Sequence, residues 1–320
     1  MPRLRRTLGV PALAALALGA ALLATSGSVA AATPGATAAP ATSTTITADA
    51  PCGALAGAPV VVHHVVWVVF ENKSLPMFTT SPATNAPYLS GLAARCGSAT
   101  QYTATPYYGA KLAMTSGSAW GSTGDVKKVP GPDLFSQLAG DWRVYMGDMP
   151  SACSATNTKT YFARHNPAIW YADAAADCAT RDVPLPGTPG DLDLSASFTW
   201  VEANVPQSMH GCKSLCPTSQ QKRLLLGDTW ASTWVDGILA SPQYLAGDTV
   251  VLVSWDQATP SQSLAPLVVV SPWTTPGTVS SLAHSHYSLL RGTQDLLGLP
   301  PLQGSGGVTT SVAADFGLAG

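Results

Sequence analysis

Two runs of the chain are apolar at every position rather than at every second one. Val60 to Phe70 reads VVVHHVVWVVF and Thr249 to Trp255 reads TVVLVSW; Leu267 to Val270 (LVVV) is a shorter third. Such density of β-branched residues predicts strands, and continuous rather than alternating hydrophobicity predicts strands buried on both faces. The expectation is an α/β fold with a largely parallel central sheet covered by helices on both faces. Tyr287 to Leu299 (YSLLRGTQDLLGL) differs, with Leu289, Leu290, Leu296 and Leu297 on helical spacing. Gly292 weakens that helix, and Pro300 with Pro301 ends it. Between Asp173 and Pro217 the chain is rich in Gly, Pro and Asp and reads as long surface connections.

The ends of the chain read differently. Arg3, Arg5 and Arg6 precede an apolar run from Leu8 to Ala24, and Ser28 and Ala30 offer the small residues of a cleavage site. Residues 1–30 are therefore expected to be a secretory signal peptide, leaving no stable transmembrane segment after cleavage and a secreted protein. An Ala/Thr/Pro-rich linker is expected over 31–51, one domain over 52–305 and a flexible tail over 306–320. Cys52, Cys96, Cys153, Cys178, Cys212 and Cys216 fit disulfides in an exported chain. Of fifteen pairings, loop proximity favours Cys212–Cys216 and Cys153–Cys178, leaving Cys52–Cys96. No C-x-x-C pair supports a zinc cluster instead.

Composition narrows the function classes. The 320 residues are 46% hydrophobic and 11% charged, which excludes a disordered protein. The net charge is −2 and falls to −5 without the three arginines of the signal segment. No nucleic acid is expected as a partner, and an anionic substrate needs a local device such as a metal. Ligands of open α/β sheets bind beyond the carboxyl ends of strands. Glu71 and Asn72 follow the first strand and Asp256 and Gln257 the second; a loop after the third leads to His284, Ser285 and His286. Oxygen and nitrogen donors arriving together suit a divalent cation.

These residues carry a resemblance. His64 to Ser74 (HVVWVVFENKS) resembles the opening motif of the bacterial phosphoesterase family, which holds secreted acid phosphatases of the phosphatidylinositol-3-phosphatase type and phosphocholine phospholipases C. Further matches follow in order: Asn85 to Leu89 (NAPYL), Leu112 to Gly117 (LAMTSG), Arg164 to Pro167 (RHNP), Met209-His210, Gly227-Asp228-x-Trp230, Ser254-Trp255-Asp256 and His286 to Arg291 (HYSLLR). The resemblance spans about residues 60 to 302 and implies an alkaline-phosphatase-like fold. It implies metal-assisted hydrolysis of a phosphorylated small molecule or lipid headgroup. It gives Glu71, Asn72 and Asp256 to one divalent metal ion, and phosphate contact or proton transfer to His165, His210 and His286; Asp228 matches an acid of less certain role.

Five positions depart from the family pattern. The nucleophile position falls on Tyr107, an Asn position on Ala110, a His position on Thr105, and two acid positions on Ser208 and Gln257. A phenol oxygen reaches farther from its Cα than a serine oxygen and is the weaker nucleophile. The sequence thus leaves open an active enzyme attacking through Tyr107, Thr105 or water. The alternative is a degenerate homologue that binds phosphorylated ligands without turnover. A wall-binding module is disfavoured by the lack of any repeat.

Overall fold

The first β-branched run folds as strand β1, His64–Phe70, at the centre of an eight-stranded sheet. The computed structural model describes residues 45–59, 61–104, 108–123 and 127–319; the signal segment 1–30 and Tyr107 lie outside them. In chain order the other strands are β2 (Gly97–Ala99), β3 (Tyr102–Thr103), β4 (Trp142–Met146), β5 (Asp182–Pro184), β6 (Phe198–Glu202), β7 (Thr249–Trp255), β8 (Leu267–Val270), β9 (Thr278–Ser280) and β10 (His284–Ser285). The sheet runs β5-β4-β6-β1-β7-β8-β2-β9, and β3 pairs with β10 apart from it. From β5 to β7 every neighbour is parallel, while β8 is antiparallel to both β7 and β2.

Both faces of β1 are covered, as its unbroken hydrophobicity predicts. On one face the buried Trp67 donates its indole N–H to Thr293 of the helix His286–Leu297, at 3.0 Å. On the other, Phe70 meets Trp230 of the helix Gln220–Leu239 edge-on, with ring centroids 5.5 Å apart. Residues three apart on a strand point to opposite faces.

Three expectations are corrected. β8 runs antiparallel, so its carboxyl end points away from the edge to which β1 and β7 deliver their acids; the chain returns to that edge through β9 and β10. The stretch between Asp173 and Pro217 is not only surface connection: it contains β6, whose five residues are all buried beside β1. The tail over 306–320 is packed. Val312, Ala313, Phe316 and Leu318 are buried, and Asp315 Oδ2 lies 2.7 Å from His284 Nε2. Gly292, read as a weakness of its helix, gives this segment room: a Cβ there would stand 2.8 Å from the Ala313 backbone nitrogen. A Cβ on Gly97 of β2 would in turn meet the Phe316 ring at 2.6 Å.

The disulfides form as loop proximity suggested: Cys52–Cys96, Cys153–Cys178 and Cys212–Cys216. Among the described residues no helix is long and apolar enough to cross a membrane.

Asp228 has a structural task. From the long helix it accepts the Tyr88 and Leu89 amides, each at 2.9 Å. These belong to the first turn of the helix Pro87–Arg95, whose own N-cap residue Ala86 supplies no side-chain acceptor. Asp228→Ala should therefore lower unfolding free energy by about 1–2 kcal/mol, the usual worth of a helix cap, read as a lower urea midpoint.

Candidate active site

Three neighbouring parallel strands each end in an acid at the same edge. Glu71 follows β1, Glu202 closes β6 and Asp256 follows β7. Adjacent strands lie about 4.8 Å apart, so the three carboxyl groups converge without help from any loop. All three are buried, with Glu202 fully so. Backbone bonds lock the edge: Asp256 N–H donates to Phe70 O and Glu71 N–H to Ser208 O, both at 3.0 Å.

Among these acids stands a lysine. Lys111 Nζ donates to Glu202 Oε1 at 2.7 Å and lies 2.8 Å from Glu71 Oε1 and 3.8 Å from Asp256 Oδ2. It also sits 5.7 Å from the centroid of the Trp200 ring. Lys111 is the second residue of the helix Ala110–Ser116, whose N-cap Gly109 has φ 69°. A Cβ at Gly109 would come within 2.7 Å of the Ala119 carbonyl, so both conformation and space require glycine at the turn that aims this helix. Thr115 holds the helix from behind, its hydroxyl paired with the Tyr171 hydroxyl at 2.7 Å.

The charges settle unequally. Burial pushes the Lys111 ammonium down, but Glu202, Glu71 and Asp256 outweigh it and keep it charged. Burial likewise raises the Glu71 carboxyl; His165 and Lys111 outweigh that and hold Glu71 well below the carboxylate range. Burial pushes the His165 imidazole itself down to about 3, so near neutrality it carries no charge and Lys111 is the group that keeps Glu71 ionised. Glu202 is pushed up to about 8 by burial, and Asp256 well up by burial and by Glu71. One ammonium cannot neutralise three carboxylates, so without a further cation the cluster retains protons.

His165 stands beside this group, Nδ1 3.4 Å from Glu71 Oε1 and 3.5 Å from Glu202 Oε1. Ligand atoms of Glu71, His165 and Glu202 lie within 4.8 Å of one another. Carboxylates with a neutral imidazole suit a divalent cation. Three acids and one ammonium leave a formal −2, the charge that one such ion neutralises.

The cluster floors a cavity of about 200 Å³ lined also by Tyr108, Arg164, Trp170, His210 and Gln257. Arg164 is exposed, while His165 is buried. His210 is partly buried; its Nδ1 donates to Gly211 O at 2.7 Å, which leaves Nε2 with its lone pair. Asn72 has the left-handed φ of 34°, its amide N–H reaching Asp256 Oδ1 at 3.3 Å and its side chain donating to Gln257 Oε1 at 2.7 Å. Backbone held in that region by a non-glycine residue is concentrated at functional sites. Lys73 Nζ donates to the Asn72 carbonyl at 2.9 Å.

Glu71, Asn72, Asp256, His165 and His210 thus meet at one cavity, with Ala110 and Gln257 of the departures also on its wall. Ser208 bonds to Val205 O, inside the loop that receives the Glu71 amide. His286 is placed elsewhere. It lies fully buried behind Asp256, donating Nε2–H to the Asp256 carbonyl at 2.6 Å and accepting the Tyr102 hydroxyl on Nδ1 at 2.7 Å. Both ring nitrogens are engaged, which makes it a strut rather than a cavity group. Glu202 and Lys111 had not been singled out from the sequence. Glu202 carried a signal, since Phe198 to Glu202 (FTWVE) is a β-rich run ending in an acid like the other two.

No protein-family model matches the chain. A curated relative, the phosphatidylinositol-3-phosphatase of Mycobacterium tuberculosis, is 25% identical over 252 residues, covering 74% of this chain and 77% of that one. A solved structure of an alkaline phosphatase superfamily protein from Vibrio parahaemolyticus superposes with TM-score 0.54 at 12% identity, covering 75% of this chain and 67% of the other. The fold is alkaline-phosphatase-like. A 2-O GAG sulfatase shares it at TM-score 0.51 and 10% identity, covering 81% of this chain and 75% of that one. In this alkaline-phosphatase-like fold the acid-bearing edge is formed by the parallel strands β6, β1 and β7.

His286 supplies a pH test. Burial pushes its imidazole down to about 4, whereas the unfolded chain protonates it near 6.5. A depressed base contributes stability above the unfolded value and loses it as pH falls toward the folded one. The stability gap between the wild-type protein and His286→Gln should therefore narrow by up to about 3 kcal/mol between about pH 7 and about pH 4, measured by urea unfolding.

Proposed function

We propose that this chain is an exported phosphoester hydrolase acting on a phosphorylated small molecule or lipid headgroup. The observation that carries the reading is the convergence of Glu71, Glu202 and Asp256 beneath a cavity that also presents Arg164, His165 and His210. Acids that hold a cation and a guanidinium that meets an anion stand on one small surface. The curated relative's name and the fold of the structural neighbours support ester hydrolysis. Export is supported by the signal-like first thirty residues and by the three disulfides.

In this reading one divalent cation sits at this cluster, held by His165 and Asp256, with Glu71, Glu202 and Asn72 beside them. Bound there, such an ion supplies Lewis-acid polarisation of a phosphoryl oxygen. The chain's own groups do the rest. Arg164, at the exposed side, orients the phosphate with paired N–H donors. His210 Nε2 takes or returns a proton at the leaving oxygen. Lys111 offsets charge between Glu71 and Glu202. The attacking hydroxyl is assigned to Tyr107, two residues before the Gly109 turn, or to Thr105; both lie outside the described residues.

A specific observation favours a second reading, a homologue that binds phosphorylated ligands without turnover. No serine or threonine lines the cavity among the described residues. Hydrolysis of an aryl phosphate by the mature protein separates the two, scanned from about pH 4 to about pH 9 with added divalent metals. The hydrolase reading expects turnover that chelation abolishes and that Asp256→Asn lowers at least about 100-fold. Equal rates for wild type and variant under every metal would overturn it. A phosphate-dependent rise in Tm without product would then support the binding reading.

A further inference from the structure

The position of Lys111 is not explained by substrate binding. Its side chain reaches the cavity wall but is only 7% exposed, and the partners given above for its ammonium are protein carboxylates. Glu71 Oε1 and Glu202 Oε1 are the two oxygens to which it is closest, and these same residues with His165 form the one cluster of described residues suited to a metal outside the disulfide Cys153–Cys178. An ion drawn to these oxygens would meet a positive charge already within hydrogen-bond distance of both. At such separation in a buried site, repulsion between a divalent ion and an ammonium is large compared with thermal energy.

The ammonium is also held there. Gly109 aims the helix, Thr115 anchors it through Tyr171, and the Gly117 carbonyl accepts the Gly304 amide at 3.0 Å. Trp200 lies along one side of Nζ and donates its indole N–H to Glu202 Oε2 at 3.1 Å, so lysine and tryptophan fix the two oxygens of one carboxylate. A surface lysine that had strayed inward would not have such a frame.

We propose that Lys111 is a tethered cation, its ammonium resident between Glu71 and Glu202 in the place a divalent ion would otherwise take. The chain's acid cluster therefore stays assembled without metal at that position. Any divalent ion binds against the ammonium, through His165 and Asp256. The inference rests on the geometry of the cluster and holds whether or not the protein turns over phosphoesters.

The test is metal binding rather than activity. Mn²⁺ is titrated calorimetrically into metal-stripped wild type and Lys111→Met, and Tm is recorded for each in chelator and in Mn²⁺. The proposal expects the variant to bind Mn²⁺ more than about tenfold tighter than wild type, because one positive charge has left the cluster. It also expects the variant to lose Tm in chelator and regain it with Mn²⁺, as linkage requires. Equal Mn²⁺ affinity in both proteins would overturn it. If Lys111→Met does not fold, the wild-type protein decides. A Tm in chelator that Mn²⁺ moves by less than about 2 °C supports a resident ammonium; a rise of about 10 °C or more overturns it, since that marks a cluster held together by metal.

Discussion

Three carboxyl groups cannot lie buried within a few ångströms of one another unless something offsets their charge. Parallel pairing makes that problem unavoidable here, because β6, β1 and β7 are neighbours and each ends in an acid at one edge. Much of the surrounding structure answers it. Lys111 is brought in on its own short helix, the helix is fixed by a left-handed glycine and a buried Thr–Tyr pair, and the strand ends are closed by backbone bonds. Two of the three acids are pushed toward their protonated forms by burial, while the third stays ionised beside the ammonium. Protons, the lysine and any bound cation are thus alternative ways of meeting one electrostatic demand.

The framework was legible because buried parallel strands leave a plain trace. The runs at β1 and β7 are apolar over five or more of their seven residues, and each is followed at once by its acid, so Glu71, Asn72 and Asp256 could be placed at a shared edge from pattern alone. β6 was obscured by its surroundings: five strand residues sit in a long stretch of Gly, Pro and Asp, and composition averaged over that stretch hides them. Lys111 could not be read at all, since its meaning depends on a helix that arrives from elsewhere in the chain. A role at phosphate or in proton transfer came to His286 from the resemblance of its HYSLLR motif. Its two hydrogen bonds, to a backbone carbonyl and to a tyrosine from a distant strand, are tertiary facts that no local pattern contains.

The departures at Ala110, Ser208 and Gln257 look different beside this geometry. By the resemblance each stands where a ligand-type side chain is expected, and Ala110 and Gln257 line the cavity whose floor already holds an internal cation. A cavity wall with neutral Gln257 and Ala110 and a floor with one fixed ammonium both lower the positive charge that must be supplied from solution.

The packing of the last residues bears on how the molecule is made. Phe316 lies over Gly97 in β2, Asp315 pairs with His284 and Ala313 fits against Gly292. Residues from early in the domain thus close against residues more than two hundred positions later in the chain. Contacts of such long sequence separation slow folding, because the chain loses loop entropy before they form. A growing chain that has delivered β1, β7 and the helix His286–Leu297 still lacks the side chains that seal one sheet edge and the foot of that helix. Until the segment 312–318 has been made, the apolar surface it covers is open to association with other chains.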